Sequence, residues 1–137
     1  MTLYTSDKKA LRHSAIIYVS VAAFCVLFST VYEHFSHGVY SNFMVLLFLF
    51  PLVAAIPPFV LPFFKFLPSP TKTVRNMWAL GTATLTVGSC LKGVFDIYGT
   101  TSSFVGIYWY IGGLMTACSV IFYLWQCFKE TDEKRQL

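Results

Sequence analysis

Residues 75–99 read RNMWALGTATLTVGSCLKGVFDIYG. A bilayer-spanning helix needs about 20 residues, so the stretch is long enough to cross one. It nevertheless carries threonines, a serine, a cysteine, glycines, a lysine and an aspartate. At helical spacing Thr82, Thr86, Ser89, Gly93 and Asp96 fall along one stripe, with Lys92 one turn before Asp96. A lipid-facing helix has no use for such a stripe, because each unpaired polar group in hydrocarbon costs several kcal/mol. The spacing therefore predicts a helix held inside a bundle, its polar stripe inward, with the other apolar segments packed around it.

The rest of the chain supplies those segments. Of 137 residues, 56% are hydrophobic and 12% charged, about half the charge of a soluble domain. Mean hydropathy is +0.64. A soluble domain this small could not bury so much apolar surface, so the composition selects an integral membrane protein. Its fold class is all-α, a four-helix transmembrane bundle forming a single domain over 1–137.

The first span is expected over 14–33. It is too long for the core of a signal peptide and lacks a small-residue cleavage site at its end. A polar and aromatic turn, Tyr32 to Gly38, leads to the second span, 40–66, which Pro51, Pro57, Pro58 and Pro62 interrupt. Two readings of that span stand side by side. Either it is one kinked helix, or Pro57-Pro58 ends the span and leaves an interfacial segment. The proline-bounded connector at 68–73 is a loop. The third span covers 75–98 and the fourth 104–128, where Gly106, Tyr110, Gly113 and Ala117 share a stripe suited to close helix approach. The charged tail after it is expected to fray.

Lysine and arginine set the orientation. Lys8, Lys9 and Arg12, then Lys65, Lys72 and Arg75, then Lys129, Lys134 and Arg135 fall in three regions that four spans place on one side. Nine of the 10 basic residues are then cytoplasmic, with both termini, by the positive-inside rule. The net charge of +4 is dispersed among these clusters rather than gathered in one patch, which speaks for anionic lipid and against nucleic acid. The protein is placed in the plasma membrane as a multi-pass chain.

The remaining ionisable groups then share the outer side. Glu33, His34 and His37 close the first span, and Lys92 and Asp96 approach the end of the third. Three readings compete for this cluster. Lys92 and Asp96 can form a local pair while the histidines occupy a wet interface. Glu33, His34, His37, Lys92 and Asp96 can line an outward-facing pocket for a polar ligand or partner peptide. Or His34, His37, Glu33 and Asp96 can hold a transition metal, which Lys92 would oppose. Opposite charges at similar depth lead us to expect Glu33 to meet Lys92.

Catalytic signatures are missing from the sequence: it has no phosphate-binding loop and no HExxH, and no catalytic residue is assigned. A bis-histidine haem in the core needs histidines at matched depth on facing helices, and the other histidine, His13, is at the opposite face. No cofactor is expected, while a haem at the surface or between two copies, or a transition metal, stays open. Cys25, Cys90, Cys118 and Cys127 form no CxxC pair and read as small buried side chains, although the first three could lie at comparable depth.

The run Tyr32-Glu33-His34-Phe35-Ser36-His37-Gly38-Val39-Tyr40-Ser41, followed by an apolar stretch with Pro51-Leu52, resembles a segment of small uncharacterised four-span membrane proteins of Gram-positive bacteria. The resemblance implies a bacterial cell and no activity. The expected role is non-enzymatic: binding a ligand or partner through the outer pocket, as a transporter or signalling subunit, with a homo-oligomer or larger membrane complex open. The alternative is a small redox or metal-binding membrane enzyme using the same outer cluster.

Overall fold

The computed structural model describes residues 2–137 and is all-helical, with no strand among the described residues. Helix α1 runs Thr2–Phe35. Its buried positions Leu11, Ala15, Ala22, Cys25 and Ser29 are spaced by three, four or seven residues and so share one face, while Ile16, Ile17, Phe24 and Leu27 on other faces are exposed. The helix is followed by a left-handed turn in which His37 has φ +54° and Gly38 φ +90°.

The next segment is helical in pieces: α2 (Asn42–Val45), α3 (Leu49–Ala54), α4 (Ile56–Val60) and a 3₁₀ turn (Leu61–Phe63). The first break lies one turn ahead of Pro51, which offers no N–H to the carbonyl four residues back and crowds it. There the ladder tightens, with Leu47 N donating to Met44 O at 3.2 Å and Leu49 N to Leu46 O at 3.0 Å. Pro57 and Pro58 stand in the first turn of α4, where a missing N–H costs little. They therefore restart the helix rather than end it, and helical structure persists to Phe63.

Helix α5 (Lys72–Tyr98) ends on Gly99, φ +71°. Thr100 N donates to Phe95 O at 3.0 Å and Gly99 N to Asp96 O at 3.2 Å, the paired bonds of a Schellman cap. Helix α6 (Val105–Gln136) packs along it. The two backbones meet at glycines: a Cβ on Gly81 would lie 2.6 Å from Thr116 Cγ2, and one on Gly112 would lie 3.1 Å from Leu85 N. The stripe expected to make this approach, Gly106, Tyr110, Gly113 and Ala117, is not the one that makes it. Gly106 and Gly113 face open space and Tyr110 is exposed, whereas Val105, Gly112 and Ser119 are buried. The charged tail is also not frayed, because α6 continues to Gln136 through good helix formers, with Lys134 3.5 Å from Glu130 and basic residues in the last turn.

The elements pack in the order α1, interrupted segment, α5, α6. Among the described residues no Cα of α1 lies within 8 Å of one of α5 or α6. The broken segment is thus the middle layer between α1 and α5, and the outer flanks of α1 and α6 are bare and apolar. Three stretches, Ser6–Phe35, Asn42–Phe63 and Val105–Gln136, are long and apolar enough to cross a membrane. Helix α5 is long enough but not among them, since its hydroxyls, glycines and charges lower its hydropathy.

Candidate functional site

The stripe on α5 does face inward, and its hydroxyls have structural partners. Thr82, Ser89 and Gly93 are buried. Ser89 Oγ donates to Phe43 O at 2.9 Å, and from α1 Ser29 Oγ donates to Met44 O at 2.9 Å. These are carbonyls at the first break, where Leu47 N has turned to Met44 O and left Phe43 O without its ladder bond. Trp78 Nε1 donates to Ala54 O at 3.1 Å. Ala54 is followed three and four residues later by Pro57 and Pro58, neither of which has an N–H to give. Buried carbonyls need donors, and the flanking helices supply them. Gly93 lets α5 close on the break, since a Cβ there would stand 3.1 Å from Met44 N.

Past the break the stripe becomes ionic. Lys92 Nζ lies 2.7 Å from Asp96 Oδ1, both side chains about a third exposed. Ser41 Oγ donates to Asp96 Oδ2 at 3.2 Å, tying the start of the interrupted segment to α5. The ammonium also sits 5.7 Å from the Phe43 ring centroid, a cation–π distance. Phe43 in turn meets Trp109 edge-to-face at 6.0 Å. Lys92, Phe43 and Trp109 wall an open recess of about 470 Å³ with Thr101, Ser102 and Ser103 of the α5–α6 loop. A second recess, about 360 Å³, lies between the ends of α1 and α5, with Tyr32, Phe35, Ile97 and Tyr98 in its wall.

The other expected members are not gathered there. Glu33 makes no ion pair with Lys92; Asp96 takes the ammonium, and Glu33 Oε1 is buried with no hydrogen-bond partner. His34 is exposed with its ring edge-on to Phe35 at 5.7 Å. His37 is exposed, its Nδ1 2.9 Å from Phe35 O. Among the described residues no three His, Cys, Asp or Glu side chains gather as a metal-binding group. The loop hydroxyls Thr101, Ser102 and Ser103 and the ring of Trp109 were not anticipated as wall residues. Their signal in the sequence was an uncharged polar loop directly following Lys92 and Asp96.

Set against protein-family models, curated proteins and solved structures, the chain matches none of them.

Proposed function

We propose that the protein is a four-span component of a bacterial plasma membrane, with both termini cytoplasmic, that binds a polar ligand or partner segment at its outer end without catalysing a reaction. The observation that carries this reading is Lys92. Its charge is held by Asp96 and Phe43, and it still forms the wall of a recess rimmed by loop hydroxyls and Trp109. A positioned cation, hydroxyl donors and an aromatic face suit recognition. Orientation follows from the nine basic residues of the termini and the 64–75 region, all on the side away from this recess. On this reading α5 is the third span, joining the three more apolar stretches, with Ser89 and Trp78 used on carbonyls of the broken segment and its charges near its end.

Two measurements test this. On a background without native cysteines, Thr101→Cys should react with an impermeant thiol reagent from outside cells and Ser69→Cys should not. Thermal unfolding of purified protein, scanned against amino acids, short peptides and carboxylic acids, should show stabilisation by at least one class, lost in Lys92→Met. Labelling at Ser69 alone, or no stabilisation by any class, overturns the reading.

A further inference from the structure

Three sulfur-bearing side chains converge where the middle layer unwinds. Met44, fully buried, stands at the first helix break. Cys25 of α1, 4% exposed, belongs to the same core cluster, and Cys90 of α5 packs against it. The backbone fixes this meeting independently of the sulfurs. Ser29, one turn from Cys25, bonds Met44 O, while Ser89 and Gly93, flanking Cys90, respectively bond Phe43 O and abut Met44. The two thiols are free rather than bridged. With no Cα of α1 within 8 Å of one of α5, they are also too far apart at the backbone for a disulfide, which needs less than about 7 Å.

Two thiols and a thioether from three elements are a soft donor set, which favours monovalent copper or zinc over calcium or magnesium, and three donors fall one short of the four that structural zinc takes. We propose that Cys25, Met44 and Cys90 form a Cu(I) site at the unwound centre of the fold. Binding forms two Cu–thiolate bonds and one Cu–thioether bond and releases the two thiol protons; no electron is transferred. Tyr32 and Ile97 pack against the sulfur cluster and also wall the recess between α1 and α5, so the outer end offers the ion a way in. This site is separate from the Lys92 recess and does not depend on what that recess binds.

The test uses the full chain in detergent, reduced and anaerobic, titrated with Cu(I) against a chromogenic Cu(I) chelator. One equivalent per chain should be retained, and X-ray absorption should show sulfur-only coordination. Cys25→Ser and Cys90→Ser should each weaken retention by at least about 10-fold, the loss typical of disturbing even a supporting group of a metal site. Cys118→Ser/Cys127→Ser should retain copper as the wild type does. No stoichiometric copper in the wild type, nitrogen or oxygen ligation, or loss in the Cys118/Cys127 variant overturns the proposal. The wild-type spectrum decides even if a single variant fails to fold.

Discussion

At Ala54 a single carbonyl explains why a tryptophan sits within α5. Pro57 and Pro58 remove both N–H groups that could close a helical bond onto Ala54 O, and the indole of Trp78 replaces them at 3.1 Å. Leaving a buried acceptor unmet costs about 1–3 kcal/mol, so Trp78→Phe should destabilise by that amount in chemical unfolding. The loss should shrink in a Pro58→Ala background, where a backbone N–H returns to the ladder. Equal losses in both backgrounds would mean that Trp78 acts by packing alone. The same logic governs Ser89, and it shows what the sequence could and could not reveal about the site. Polar residues in an apolar stretch announced that they needed partners, and i,i+4 spacing was enough to name the Lys92–Asp96 pair. The acceptor of Ser89, however, belongs to Phe43, far away in the chain, and exists only because the helix opens before Pro51. Glu33 was expected to meet Lys92 on charge alone. Which helices touch decides such pairs, and the interrupted segment stands between α1 and α5.

At the scale of elements, the α5–α6 contact is a glycine seam. Gly81→Ala would press a methyl into Thr116, and overpacking of this kind costs about 1–3 kcal/mol. Gly113→Ala meets open space, and there alanine should stabilise the helix by up to about 1 kcal/mol through propensity. Comparing the two variants by detergent unfolding checks which face of α6 is inward; equal effects would contradict the seam. Helix existence, the proline breaks and the inward stripe of α5 were legible because each has a local cause. The inward stripe of α6 was not. Moving one residue along a helix turns the face by about 100°, and Gly106-Tyr110-Gly113-Ala117 and Val105-Gly112-Thr116-Ser119 are neighbouring stripes of similar composition. Small residues on both left the choice to α5.

For the whole molecule, order of packing matters more than the number of helices. The outer layers, α1 and α6, are apolar enough to cross a membrane and expose most of that surface, while α5 falls short of them and has its polar side against the broken middle layer. On the four-span reading this bears on biogenesis. An insertion machine that samples segments one at a time weighs each by its own hydropathy, and α5 alone is a poor candidate for release into lipid. Ser89, Trp78 and Gly93 find their partners only in the broken segment, and Gly81 and Gly88 only on α6. Chains truncated after residue 103 and released from the ribosome should therefore leave α5 largely extractable or mis-sided in a glycosylation-mapping assay, while the released 137-residue chain should hold it across. Full insertion of the shorter chain would show that α5 needs no companion. A mutation such as Ser89→Ala could then cut the yield of correctly assembled protein at birth, a deficit that unfolding measurements on the survivors would never record.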